Sequence, residues 1–422
     1  MPFLLVVAWA LPFILLAFGT PLYLCFLTGG VLIIALLDLP PELVPQVMFG
    51  SQESFTLMSI PFFLFAGELM GRGGVALRLV NWFLSILRGV RGGLALATVA
   101  ACVGFGAISG ATVATVVTVG RMMYPGLRKS GYSERFSLGL ITATGAIDAL
   151  IPPSILMILY GVAAEQSVAK LFIAGIVPGL LLAAVQAAYA YWYAVKAGVP
   201  VERRASLGEV ARTTADASWA LAIPLVILGG IYFGIFTPTE AAGIAVVIGV
   251  VSGLFIYRDM SVPDFWNITV RATRTTAQIL IIVCFSSLYA WLLTSQGMPQ
   301  RLTAGVVALN MPPWAILVAI NILLLLAGKV IDLSSATLVL TPLLVPVIKA
   351  IGVDPIHFGI ILTTNLGLGT YTPPLGANIF ATQSIINAPV GKIIRGVVPF
   401  IFLHLLVLIV ITYIPWVSLC LI

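Results

Sequence analysis

The chain has 422 residues, of which 60% are hydrophobic and 9% charged, with a formal net charge of +6. A mean hydropathy of +1.13 excludes a soluble globular domain and leaves a polytopic membrane protein. The apolar runs are about 20 residues long and do not alternate, which favours helices over barrel strands, and the basic excess reads as loop topology and not as nucleic-acid binding.

In chain order, Phe3–Phe18 reads as a first span and not as a cleaved signal, because a basic leader and a small-residue cleavage site are both missing. Gly19-Thr20-Pro21 breaks the chain before a second span, Leu22–Leu37, and an acidic loop, Asp38–Glu53. Phe55–Met70 is a third span. Val75–Leu87, with Arg72, Arg78, Arg88 and Arg91 clustered in and around it, is amphipathic and short, so it is expected on the membrane interface. Leu94–Phe105 and Val113–Met123 are apolar flanks too short to cross, around the polar tip Gly104–Thr112. Such a unit reads as a re-entrant hairpin, tolerable only where protein or a cavity satisfies the tip.

The run from Phe136 to Gly161 is good membrane helix apart from Gly145-Ala146-Ile147-Asp148-Ala149-Leu150-Ile151-Pro152-Pro153-Ser154. The Pro-Pro pair removes two backbone donors and forces a break. After a long span, Leu171–Val195, the polar linker Gly198–Asp216 divides the chain nearly in half. The second half replays the first. Trp219–Phe236, Ala241–Tyr257 and Thr276–Leu293 are spans, and Pro299–Asn310 is an interface segment. Trp314–Lys329 and Ala336–Ile348 flank a second tip, Val330–Ser335. His357–Gly367, a second Pro-Pro break and Ala377–Ile386 follow, before the last span, Ile393–Leu421.

Shifted by 221 positions, Pro125, Gly131, Thr142, Pro152, Pro153, Gly175 and Pro178 fall on Pro346, Gly352, Thr363, Pro373, Pro374, Gly396 and Pro399. The expected fold is therefore all-α, in two repeats. The first, 1–199, holds scaffold spans (1–70), an arm (75–87), a hairpin (92–123), a broken helix (134–163) and a span (168–196). A linker covers 200–216. The second, 217–422, holds scaffold spans (217–294), an arm (299–310), a hairpin (312–349), a broken helix (355–386) and a span (391–421). Five crossings per half invert the second repeat relative to the first. With the N-terminus outside, 17 of the 21 Lys and Arg residues fall inside, as the positive-inside rule asks. Interrupted helices at matching places in two halves point to a transport site.

The breaks and tips free backbone carbonyls beside small hydroxyls: Ser109 and Thr112, Ser334 and Ser335, Thr372. Hard oxygens suit a small alkali cation, whereas half-helix N-termini suit an anion. Asp332 at a tip reads as a cation ligand, with a salt bridge to Lys329 as the structural reading. Asp148 reads equally as ligand, cap or proton carrier. Glu68 and Glu240 read as interfacial caps, and His357 and His404 as structural. Cys25, Cys102, Cys284 and Cys420 have no metal spacing and read as small hydrophobes. The chain shows no HExxH, no GxSxG turn and no Walker motif, which argues against a hydrolase and against ATP use. A stand-alone sodium- or proton-coupled anion symporter is the first alternative, with a channel or an intramembrane enzyme behind it.

The stretch Gly229-Gly230-Ile231-Tyr232-Phe233-Gly234-Ile235-Phe236-Thr237-Pro238-Thr239-Glu240-Ala241-Ala242 resembles the signature of the large membrane subunit of tripartite ATP-independent periplasmic (TRAP) transporters. Ile151-Pro152-Pro153-Ser154, Ser109-Gly110-Ala111-Thr112 and Thr372-Pro373-Pro374 match other landmarks of that family. The resemblance implies an elevator-type sodium symporter of the bacterial inner membrane, importing an organic acid, with sodium as coupling ion and no other cofactor. It implies two partners: a small four-helix membrane subunit, expected here as a separate chain, and a soluble periplasmic binding protein. It implies a first sodium site at Ser109, Gly110, Thr112, Gly145, Asp148 and Pro152. A second is implied at Asp332, Ser334, Ser335, Gly367, Gly369 and Thr372. Substrate is then expected near Ala111, Pro153, Ser154, Pro373, Pro374 and Gly376. Two positions depart from the family pattern: Asp148, where a small residue is expected, and Lys329 beside Asp332.

Overall fold

The computed structural model describes residues 10–16, 18–72 and 74–422. Every regular element among them is helical. Half of the span read at Phe3–Phe18 lies outside the described residues; within it, 10–16 are helical. The first half then contains α1 (Leu22–Leu36), α2 (Leu43–Gly50), α3 (Ser59–Arg72), α4 (Val75–Leu87), α5 (Gly93–Ser109), α6 (Thr112–Lys129), α7 (Glu134–Thr144), α8 (Ile155–Ala163) and α9 (Val168–Lys196). A linker helix, α10 (Leu207–Asp216), leads to α11 (Ser218–Tyr232), α12 (Pro238–Val251), α13 (Val262–Ser295) and α14 (Met298–Ala308). The chain ends in α15 (Pro313–Val330), α16 (Leu333–Ala350), α17 (Pro355–Gly369), α18 (Ala377–Ile386), α19 (Val390–Tyr413) and α20 (Trp416–Leu419). Six described helices are long and apolar enough to cross a membrane, and up to eight spans result if two bent helix pairs each count as one.

Local sequence explains several helix starts. Ser133 accepts from the Phe136 N–H, and Asp354 accepts from Ile356 and His357. Capping boxes pair Ser206 with Glu209, Thr237 with Glu240 and Ser261 with Asp264. Glu240 is thus a cap, as read. The same boxes account for two differences. The polar linker holds a helix from Leu207, and α13 starts at Val262, well before the apolar stretch from Thr276. No Gly or Pro interrupts residues 264–295, so the helix runs through its polar first turns. The loop read at Asp38–Glu53 also contains a helix, α2, bent by 62° from the segment Phe55–Arg72.

The hairpin arms correct a further expectation. They are not short: α5 has 17 residues and α6, α15 and α16 have 18 each. At about 1.5 Å per residue such arms reach roughly 27 Å, close to the hydrocarbon thickness of about 30 Å. The helices continue through the glycines and polar residues at which the apolar flanks stop, because membrane helices tolerate them.

Shifting α6 by 221 gives 333–350, the bounds of α16, and shifting α7 gives 355–365, within α17. Packing is reciprocal between the halves. α6 packs on α18 and α8 on α16; α7 packs on α19 and α9 on α17; α1 packs on α13 and α3 on α12. The α7–α19 crossing is backbone on backbone, since a Cβ on Gly139 would lie 2.1 Å from the Gly396 carbonyl oxygen. Lys392 Nζ reaches Glu134 at 3.0 Å beside it, and Arg135 Nε donates to the Arg395 carbonyl at 2.8 Å.

Candidate functional site

Both Pro-Pro pairs break their helices. α7 passes into a short 3-10 turn, Gly145–Ala149, before Pro152-Pro153 and α8; α17 ends at Gly369 before Pro373-Pro374 and α18. Both Pro-Pro bonds are cis.

At the first crossing the tip between α5 and α6 lies against the break. Gly110 has φ +63°, and a Cβ there would stand 2.7 Å from the Pro153 carbonyl oxygen, so only glycine fits. Its own carbonyl accepts from the Ile155 N–H at 3.5 Å. Asp148 is fully buried. Its Oδ2 accepts from Thr115 Oγ1 at 2.8 Å and from Ser109 Oγ at 3.2 Å, while Oδ1 has no partner. A Cβ on Gly106 would sit 2.4 Å from that bare oxygen, and one on Gly145 would sit 3.1 Å from the Thr112 carbonyl oxygen. Ser109, Gly110, Thr112, Gly145 and Asp148 therefore converge as expected. Pro152 is buried beside them, and the Ser154 hydroxyl closes the turn on the Ala149 carbonyl at 2.7 Å. Thr115 was missed. Its one sequence signal is its place three residues after Thr112, on the same helical face.

The second crossing is built differently. Asp332 is the N-cap of α16: Oδ1 accepts from Ser334 N at 2.8 Å and Oδ2 from Ser335 N at 3.2 Å. Ser335 Oγ accepts from Ser286 on α13 at 3.1 Å, and Thr372 Oγ1 donates to the Leu368 carbonyl at 2.7 Å. Hairpin and break meet one residue before Lys329, where a Cβ on Gly369 would lie 2.6 Å from the Gly328 carbonyl oxygen. Among the described residues, no hydrogen bond joins Asp332, Ser334 or Ser335 to Gly367, Gly369 or Thr372, and Lys329 forms no ion pair. Gly367 faces the other way, toward Ala146 and Ala149 of the first break. Pro153, Ser154 and Gly376 are buried, Ala111 and Pro373 half-buried and Pro374 exposed.

The two breaks also touch each other, which the sequence did not signal. Asn378 Nδ2 donates to the Thr142 carbonyl at 3.4 Å and to Thr370 Oγ1 at 3.1 Å, and the hydroxyls of Thr142 and Thr382 lie 2.8 Å apart. His404 meets the Tyr371 hydroxyl at 2.9 Å, and His357 lies 3.4 Å from the Thr412 carbonyl. Cys25 and Cys102 are buried. A cavity of about 1100 Å³ lies away from both crossings, between α4, α10 and the start of α11, lined by Arg72, Arg78, Arg88 and Arg212.

The model of the tripartite ATP-independent periplasmic transporter, DctM component, matches residues 9–417. The chain belongs to this family. It is 41% identical to the C4-dicarboxylate TRAP transporter large permease protein DctM of Pseudomonas aeruginosa, over 89% of this chain and 88% of that one. It is 38% identical to the ectoine/5-hydroxyectoine TRAP transporter large permease protein UehC of Ruegeria pomeroyi, over 96% of each. The isethionate TRAP transporter permease protein DctMQ of Oleidesulfovibrio alaskensis is 41% identical over 91% of this chain, which spans 60% of that relative. The fold is shared with the YdaH transporter of Alcanivorax borkumensis, at TM-score 0.64 and 15% identity over 88% of this chain and 87% of that one. It is shared with MtrF of Neisseria gonorrhoeae, at TM-score 0.59 and 14% identity over 87% and 82%. This DctM-family chain is accordingly a multi-pass membrane permease subunit and not an enzyme.

Proposed function

We propose that the chain is the translocating subunit of a sodium-coupled importer of an organic acid in the bacterial inner membrane. The observation that carries this reading is Asp148. A fully buried carboxylate with two hydroxyl donors, one bare oxygen and no ion pair among the described residues is costly unless a cation joins it or a proton neutralises it, and the hard oxygens around it favour the cation. The surrounding hydroxyls and freed carbonyls are hard ligands for a small alkali ion. A second sodium is held between the Asp332–Ser335 tip and the Gly367–Thr372 break, using lone pairs not spent on capping. Reciprocal packing of the two halves and their 221-residue offset support inverted repeats with re-entrant hairpins, moving as an elevator against the scaffold helices, with α4 and α14 as connecting arms. The tripartite, periplasmic family description and the 'large permease' names of relatives support a small membrane subunit and a periplasmic binding protein as partners, and the C4-dicarboxylate and isethionate relatives support an organic acid as substrate.

The test is uptake into vesicles holding this chain and both partners. An inward sodium gradient should drive accumulation. A proton gradient alone should not; accumulation that ignores sodium and follows the proton gradient overturns the sodium reading and makes Asp148 the leading candidate for a proton carrier.

A further inference from the structure

Asn378 opens α18 and is fully buried. Its amide orientation is fixed by chemistry: the Thr142 carbonyl can only accept, so the NH2 group must face it. The same nitrogen reaches Thr370 Oγ1, and Thr370 Oγ1 donates onward to the Gly367 carbonyl at 2.6 Å. The backbone N–H of Asn378 donates to the Thr370 carbonyl at 2.8 Å. One side chain thus ties the end of the first broken helix to the second break. It also sits against the first crossing, since a Cβ on Gly145 would lie 3.2 Å from Asn378 Nδ2. The link is buried at every step: Thr142 and Asn378 are 0% and Thr370 1% exposed. Water therefore cannot replace a lost partner, and displacing one end strains the other.

We propose that Asn378 is the positioning residue that couples the two tip-and-break crossings, so that a cation held at one raises affinity at the other. The inference rests on the reading that both crossings hold sodium. An ion at the first crossing draws in the carbonyls beginning at Gly145 and fixes the turn that carries Thr142. Through Asn378 and Thr370 that turn holds the second break, on which Gly369 and Thr372 of the proposed second site lie. Linkage makes the effect reciprocal. Asn378 touches no ion in this account.

The experiment is a sodium titration of the purified chain in nanodiscs by isothermal calorimetry, with choline replacing sodium at constant ionic strength. Wild type should bind sodium with a Hill coefficient of about 1.5 or more. Thr370→Val keeps volume and leaves Asn378 in place but removes the onward donor; Asn378→Ala removes the whole link. Both should give a coefficient of about 1 and raise the midpoint several-fold, while Thr370→Ser should restore cooperativity. Thr370→Val keeps the test open if Asn378→Ala does not fold. Cooperative wild-type binding that persists in Thr370→Val overturns the inference, and so does non-cooperative wild-type binding. A wild type with no sodium-specific heat overturns the sodium reading itself and the coupling with it.

Discussion

At the first crossing the carboxylate of Asp148 is enclosed, with two side-chain hydroxyls on one oxygen and nothing on the other. At the second, Asp332 is half-buried and spends both oxygens on the backbone of α16, and neighbouring Pro374 and Leu375 are exposed. The helices of the two crossings correspond under one offset, yet one carboxylate leaves an oxygen bare and the other spends both on a helix cap. A buried polar atom without a partner is the better witness to a ligand, because hydrogen bonding within the fold does not account for it.

Asp148→Asn should have the largest effect. It keeps the shape, removes the charge and leaves Ser109 and Thr115 facing an amide. Sodium-driven uptake with partners present should fall about a hundredfold, a loss of roughly 2.7 kcal/mol. Uptake within twofold of wild type would remove the contrast between the crossings. Next comes Gly110→Ala, which forces an alanine to positive φ and against the Pro153 carbonyl oxygen. Thermal unfolding in detergent should show a loss of about 1–2 kcal/mol or more. Gly131→Ala, also at positive φ but with open space around it, is the control that separates the clash from the backbone strain.

Asp332→Asn sharpens the comparison from the other side. Asparagine caps about as well as aspartate, so unfolding should shift by less than about 0.5 kcal/mol. Any change in sodium dependence then reports ligation and not the cap. We expect the sodium concentration for half-maximal uptake to rise about tenfold, or ~1.4 kcal/mol. An unchanged value would make Asp332 a cap only. Lys329→Gln should be the mildest. With no ion pair to lose, its unfolding should stay within about 0.5 kcal/mol of wild type. A larger loss would reveal a partner for the lysine.

The first crossing was more legible in the sequence than the second, for a physical reason. Ser109, Gly110, Thr112, Gly145 and Asp148 lie close in the chain and are brought together by one hairpin and one break, each with its own proline or glycine signal. Thr115 escaped because a threonine inside a helix carries no punctuation. At the second crossing, Asp332 sits two and three residues before the N–H groups it caps, a pattern equally readable as a helix start. The meeting of Asn378 with Thr142 escaped, because it depends on how the two halves pack and leaves no local trace; Thr142 stood out only as a repeat match to Thr363. Helix boundaries failed where hydropathy was asked to find them, as at α13 and the hairpin arms, and held where caps or proline pairs marked them, as at α7 and α9.

The reciprocal packing also sets an order of assembly. The Asp148 cluster joins residues 33 and 39 positions apart, whereas Thr142 meets Thr382 across 240 positions and Glu134 meets Lys392 across 258. At a translation rate of about 5–20 residues per second, the first broken helix leaves the ribosome roughly 10 to 50 s before its partners exist. The carboxylate cluster can close on itself during that interval. The glycine face of α7 cannot, because the backbone at Gly396 fills it, so that seam, like the other contacts between the halves, stays open until the second half is made.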